Sequence, residues 1–163
     1  MTDSAEVTEI DNVLQRIADL ARSTGRTVAT AESLTGGLLA SQLSAAEEAS
    51  VWFRGGIVAY HRDVKHTLLE VPDGPVVSSE SALAMAHSTR RLLGADVACA
   101  VTGVGGPDRQ DGRPVGTVYI AACSAQRDEV SEYHLGDETE EILTRTVEEA
   151  LTLLTHAVAD WPA

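Results

Sequence analysis

The chain is 163 residues long and carries 25 acidic against 12 basic side chains, a formal net charge of −13, with 44% apolar residues. That size and composition suit one folded domain, residues 1–163, burying roughly 70% of its extended-state surface without disulfides or a metal, and they exclude a disordered chain. The negative field repels nucleic acid and anionic lipid at long range, so an anionic ligand would need a local basic pocket.

The acidic start MTDSAEVTEID has neither the basic opening nor the apolar core of a secretory leader. No apolar run approaches the ~18 residues of a membrane span. The expectation is a cytoplasmic protein with no membrane and no nucleic-acid partner. Cys99 and Cys123 lie in apolar runs, where free thiols behave as small hydrophobes, although a lone disulfide is also open to them.

Residues 7–21 repeat apolar side chains at helical spacing (Val7, Ile10, Val13, Leu14, Ile17, Ala21), and Gly25 supplies a stop. The β-branched TVATA at 27–31 predicts a short strand, ESLTGG a turn, and residues 38–46 a helix. GGIVAY at 55–60 reads as a second buried strand, and residues 63–69 as a helix before the turn VPDGP. Ser78 or Ser79 caps a helix with Ala82, Met85, Ala86, Thr89 and Leu92 on its apolar side, ended by Gly94. DVACAVT at 96–102 is apolar enough to be covered on both faces, as a central strand would be.

After a glycine-rich loop, residues 115–124 and 130–135 predict a hairpin turning at 126–129, its second strand alternating like an edge. Residues 139–159 place Leu143, Val147, Ala150, Leu151, Leu154 and Val158 on one stripe, with the acidic stretch 137–141 at that helix's start. Trp52 and Phe53 read as core or interface residues. Strands alternating with helices give an α/β fold, a three-layer α/β/α with a mostly parallel mixed sheet of about five strands.

Open parallel sheets bind ligands beyond the carboxyl ends of their strands, which directs attention to three turns. In TAESLTGG, Ser33 stands between a strand end and a glycine-opened helix, where unpaired amides stabilise an oxyanion or hold a phosphate. It is a candidate nucleophile, and equally a helix cap with Thr35. In YHRDVK, Tyr60 and Lys65 are spaced to point a phenol and an amine into one cleft. Lys65 would act as general base only if burial or a neighbouring cation such as Arg62 lowered its pKa from ~10.4 to perhaps ~7 or 8. A solvated lysine is the plainer alternative. In TGVGGP, Gly103, Gly105 and Gly106 after Thr102 let backbone approach a ligand, with Arg109 and Arg113 following, or simply make a loop. The five histidines and two cysteines show no metal-ligand spacing, so no metal is expected.

Taken together, TAESLTGG (30–37), WFRGGIVAYHRDVK (52–65), VTGVGGP (101–107) and RPVGTVYIA (113–121) resemble the CinA C-terminal domain family in order and spacing, over nearly the whole chain. The enzymatic members are nicotinamide-nucleotide amidohydrolases, NMN deamidases. The resemblance implies a five-stranded mixed sheet of the anticodon-binding-domain-like type, association into a homo-oligomer, and a stand-alone form without the molybdopterin-binding-like domain that many relatives carry. It implies hydrolysis of the carboxamide of nicotinamide mononucleotide to nicotinate mononucleotide and ammonia, with no cofactor. Ser33 matches the family's nucleophile, Lys65 its base and Tyr60 its active-site tyrosine. Thr102 matches the residue before the glycine loop, and Arg145 falls near a basic position in the last helix.

On that basis Lys65 deprotonates Ser33, the alkoxide attacks the amide carbon, and amides near Gly36 hold the oxyanion. Water then opens the acyl-enzyme, while Lys65 or Tyr60 returns a proton to ammonia. Thr35, Gly36, Gly37, Thr102, Gly103, Gly105, Arg62 and Arg145 are the expected substrate-binding residues of a small-molecule pyridine nucleotide. The chain departs from the family pattern at Leu34, at His61 and Arg62, at Asp108, at Glu138, and at Ile142 and Leu143, which predicts a weakened grip on phosphate unless Arg62 or Arg109 substitutes. The competing readings are a catalytically silent nucleotide-binding or regulatory module, and an interaction protein connected with competence or DNA damage. Retention of both Ser33 and Lys65 favours the enzyme.

Overall fold

The computed structural model describes residues 7–163; the expectation drawn from the acidic start rests largely on residues 1–6, outside that range. The first helix, α1 (Glu9–Thr24), opens on a reciprocal cap between Thr8 and Asp11 and ends at Gly25, whose φ of 71° needs no side chain in the way. Its buried stripe is Leu14, Ile17, Ala18 and Ala21, whereas Val7 precedes the helix and is exposed.

The helix leads into β1 (Val28–Glu32), buried throughout, and then into α2 (Leu38–Ser44). A single-turn helix that the sequence pattern did not signal, α3 (Ala49–Trp52), swings Trp52 into the core. It also starts β2 (Phe53–Val58) two residues earlier than expected.

The expectation of a buried second strand is corrected: β2 is the sheet's outer strand, and Arg54, Gly56 and Val58 are exposed. Its hydrophobic letters mislead because no strand lies outside it to cover them. There follow α4 (Arg62–Leu68), α5 (Ser79–Leu93), β3 (Val97–Gly103), β4 (Thr117–Cys123), β5 (Asp128–His134) and α6 (Thr139–Asp160). Ser78 caps α5 by accepting from the Ser81 amide. The hairpin turns at residues 124–127, with the Ser124 amide on the Arg127 carbonyl.

The sheet order is β2-β1-β3-β4-β5, with β1 parallel to both β2 and β3, and β4 antiparallel to β3 and β5. Four strands therefore run one way and β4 alone is reversed, giving the mixed α/β sheet. On one face α6 packs against β3 and β4 over Val97, Cys99, Val101, Val118 and Ile120, with α2 beside it over β1 and β2 and α1 laid against α6. On the other, α5 lies close against a floor of small residues that includes Ala31, Ala98, Ala100 and Ala121. The two-residue period of a strand produces both faces from one sequence. It also answers the disulfide question, since Cys99 belongs to the first layer and Cys123 to the second; both are free and buried, and burial pushes both thiols up.

Because β1, β2 and β3 are parallel, the turns that leave them share one end of the sheet. Among the described residues no helix is long and apolar enough to cross a membrane.

Candidate active site

Ser33 is the first residue beyond β1, and its amide still follows the strand ladder by donating to Val101 O at 3.2 Å. It is 7% exposed. The turn that presents it is built by Glu32, which the sequence pattern gave no role. The Glu32 carboxylate is wholly buried and accepts from the Thr35 hydroxyl (2.7 Å) and from the Leu39 and Ala40 amides (2.8 and 2.9 Å). An anionic side chain thus satisfies the first turn of α2 from within.

The same contacts decide which amides remain for a ligand. Gly36 donates to the Ser33 carbonyl and Leu38 to the Thr35 carbonyl, so the amide of Gly36, expected to hold an oxyanion, is engaged. Gly36 and Gly37 have φ of 59° and 105°, which lets the chain reverse into α2; this is the need they serve. Among the described residues the amides of Leu34 and Thr35 meet no backbone acceptor.

Ala59 donates to the Glu32 carbonyl at 2.8 Å, which fastens the exit of β2 to that of β1 and places Tyr60 beside the Ser33 turn. Tyr60 is 69% exposed. Lys65, the only lysine of the chain, is 2% exposed on α4, and its Nζ donates to the Tyr60 carbonyl at 2.9 Å. His61 caps that helix by accepting from the Asp63 amide. Burial and, second, the Arg62 guanidinium bring the Lys65 ammonium down from its ordinary 10.5 to about 8, against the opposing pull of Asp111. At pH 7.5 about a quarter of the molecules then hold a neutral amine, against about 0.1% at the ordinary value.

Asp111 is the second residue that carries no signal in the sequence pattern. It sits in the loop between β3 and β4 and accepts from Arg62 at 2.5 Å and from the Val76 and Val77 amides at 2.8 and 3.1 Å. Arg62 also donates to Gly74 O at 2.9 Å. Three segments far apart in sequence therefore meet at one carboxylate beside Lys65. Burial raises the Asp111 carboxyl, but Arg62 and the two amides outweigh it and hold it below the usual range. Its φ of 52° is one of three positive values at non-glycine residues among the described residues.

A cleft of about 190 Å³ opens where these turns meet, lined by Ser33, Leu34, Tyr60, residues 103–106, Asp108, Gln110, Thr139 and Leu143. Gly103 and Gly105 thus line it with Ser33 and Tyr60. Thr102 is buried behind it with its hydroxyl on Val76 O at 2.7 Å, and Thr35, Gly36 and Gly37 lie in the turn beneath. Arg62 is held by Asp111. Arg145 borders a separate, open groove with Glu138, Glu140, Glu141 and Glu148, paired to Glu141 at 3.5 Å. By contrast, a groove of about 260 Å³ between α1 and α6 offers three glutamates, Glu9 of α1 with Glu148 and Glu149 of α6, and no buried polar group. The cleft at the strand ends combines the Ser33 hydroxyl with unengaged amides; Lys65 is not among its lining residues and touches one of them, Tyr60, through the backbone carbonyl.

Known proteins resemble this chain over most of its length. A CinA-like protein from Geobacter sulfurreducens is 40% identical over 155 residues, covering 91% of this chain and 38% of its own. One from Frankia casuarinae is 39% identical over 165 residues, covering 98% and 36%. The chain thus spans little more than a third of the length of these curated relatives. Solved structures match it nearly end to end. The competence-damaged protein (CinA) superfamily protein of Escherichia coli is 32% identical with a TM-score of 0.86 and 94% coverage of both chains. The competence/damage inducible protein CihA of Agrobacterium tumefaciens is 34% identical, also at 0.86, over 93% of this chain and 96% of that one. The family model described as the CinA C-terminal domain matches residues 10–158, and the chain belongs to that family.

Proposed function

We propose that this domain is an amidohydrolase that releases ammonia from the carboxamide of nicotinamide mononucleotide or a close pyridine relative, with Ser33 as nucleophile and Lys65 as base. The observation that carries the reading is the buried Lys65 amine, lowered to about 8 and held 2.9 Å from the backbone of Tyr60, a residue that lines the same cleft as Ser33. An amine buried at this cost and left without a carboxylate partner is unusual for a lysine that only stabilises a fold.

In this reading the neutral Lys65 amine takes the Ser33 proton as the oxygen attacks the amide carbon. The Leu34 and Thr35 amides, next to the nucleophile and without backbone acceptors among the described residues, are the donors for the developing oxyanion. The tetrahedral intermediate collapses as the C–N bond breaks, and the Lys65 ammonium returns its proton to the departing ammonia. Water, deprotonated by the same amine, then opens the Ser33 ester to give the pyridine carboxylate. The lining Leu34 and Leu143 limit other water.

The test is ammonia release from nicotinamide mononucleotide, nicotinamide riboside and nicotinamide by the purified chain, beside Ser33→Ala and Lys65→Ala. Release by the native chain that falls by about three orders of magnitude in both variants supports the reading. Equal release from all three proteins removes it.

A further inference from the structure

The loop that walls one side of the cleft is a built element, and the inference drawn from it rests on the amidohydrolase reading. Between β3 and β4, Gln110 and Arg113 exchange both backbone hydrogen bonds, the Gln110 amide on the Arg113 carbonyl at 3.3 Å and the Arg113 amide on the Gln110 carbonyl at 2.8 Å. Asp111 and Gly112, the two residues between them, have φ of 52° and 73°, as a tight Asp-Gly hairpin turn requires.

Alternate side chains tie this small hairpin down. Arg109 donates to the Gly112 carbonyl at 3.0 Å, Asp111 holds Arg62 and the Val76 and Val77 amides, and Arg113 lies over the Tyr119 ring and 3.8 Å from Glu132. The residues that alternate with them, Asp108 and Gln110, line the cleft instead. Both are exposed, and among the described residues neither the Asp108 carboxylate nor the Gln110 carboxamide has a hydrogen-bond or salt-bridge partner. Polar groups held in place by their backbone and left unpaired by the protein are available to a ligand with little ordering cost.

The lining is graded in depth. Ser33, Gly103 and Val104 are buried, Gly105 and Gly106 half-buried, and Asp108 and Gln110 exposed at the rim. With a pyridine carboxamide at the Ser33 hydroxyl, Leu34, Tyr60 and Leu143 offer the ring its apolar surface. The ring nitrogen lies meta to the carboxamide carbon, so the group it carries is directed away from Ser33 and toward the rim. On an N-ribosylated ring that group is a sugar with two adjacent hydroxyls. The two oxygens of one carboxylate accept from such a pair, and a neighbouring carboxamide can both donate and accept. We propose that Asp108, with Gln110 beside it, determines specificity by holding the ribose diol of the substrate.

The experiment measures kcat/KM for ammonia release from nicotinamide mononucleotide and from its analogue lacking both ribose hydroxyls, on the native chain, Asp108→Ala and Gln110→Ala. The native chain is expected to favour the diol by about tenfold, the lower end of what a hydrogen bond to a charged group contributes, because the rim is open to water. Asp108→Ala should bring that ratio close to one, and Gln110→Ala should reduce it by about threefold. Both variants should keep the native unfolding temperature, since neither side chain has a protein partner to lose. A native ratio near one, or an Asp108→Ala protein that loses activity on both substrates alike, overturns the diol contact while leaving the amidohydrolase reading intact. Ammonia from neither substrate overturns both.

Discussion

The Nζ atom of Lys65 lies 2.9 Å from the carbonyl oxygen of Tyr60, and a carbonyl is the one protein acceptor it has among the described residues. A neutral acceptor holds the amine in place without stabilising its charge as a carboxylate would. Burial can then lower its pKa to about 8. The kcat/KM of the native chain should therefore rise with pH and level off above about 8, because the proposed base is the unprotonated amine. A profile flat from pH 6 to 9 would show that Lys65 does not set the rate.

The same lowered pKa has a sign for stability. The unfolded chain holds the Lys65 proton up to 10.5 and the folded chain only up to about 8, so between those values the unfolded state binds more protons and stability rises with pH. Below about 8 the native state carries a penalty of about 3 kcal/mol for keeping this ammonium buried, at 1.36 kcal/mol per pH unit. Lys65→Met is expected to abolish ammonia release and yet raise the unfolding temperature at pH 7. Thermal unfolding of the two proteins at pH 7 and pH 9.5 checks this, and the advantage of the variant should shrink at the higher pH.

Arg62 and Asp111 act on that amine with opposite signs, the guanidinium lowering its pKa and the carboxylate raising it. Arg62→Met should move the rising limb of the rate profile to higher pH, and Asp111→Asn should move it lower. Asp111→Asn should also weaken the junction with Val76 and Val77, by about 1–3 kcal/mol for the charged bonds lost. Rate profiles of the two variants moving in the same direction would contradict this arrangement.

Much of this was legible because it is local. Runs such as DVACAVT and VYIAAC are buried on both faces and became β3 and β4, and Gly25 and Gly94 end helices as their left-handed backbones require. Ser33 and Tyr60 are legible as candidates from their place at strand ends, and Lys65 from its spacing after Tyr60. What escaped was long-range or contextual. Asp111 meets Arg62 across 49 residues and Val76 across 35, a contact that no window of sequence contains. Glu32 reads as the first residue of a turn, whereas it closes β1 and its side chain serves the amides of a helix seven and eight residues on. GGIVAY carried the hydrophobicity of a buried strand, and only the sheet order shows that nothing covers its outer side.

Glu32 offers a direct measure of how far the turn depends on one buried carboxylate. Glu32→Ala strands the Leu39 and Ala40 amides and the Thr35 hydroxyl in a site closed to water. The expected loss is about 2–4 kcal/mol, or roughly 5–15 °C in unfolding temperature for a domain of this size. Ammonia release should fall as well, because Ser33 follows Glu32 directly and loses its fixed position. An unchanged melting temperature would mean that the turn is held by other contacts.

Gly103 separates two explanations of a glycine at the cleft, room for a ligand or room for the protein itself. A Cβ at this position would stand 2.7 Å from the Thr117 carbonyl oxygen, 2.8 Å from a Val118 methyl and 3.0 Å from the Val118 Cα, so the obstruction is the backbone of β4. Neither strand can yield without breaking the pairing of Gly103 with Val118 that closes the β3 ladder. Gly103→Ala is therefore expected to destabilise the fold by about 1–3 kcal/mol through overpacking, with activity falling in proportion to the folded fraction. Gly105→Ala is the contrasting case, since its nearest neighbours are Leu34 side-chain atoms at 3.8 and 3.9 Å, ordinary contact distances. That variant should keep its melting temperature and change KM, because the added methyl enters the cleft beside Leu34. Thermal unfolding and KM measured on both variants distinguish the two roles; a Gly103→Ala protein of native stability with a raised KM would return Gly103 to the ligand side.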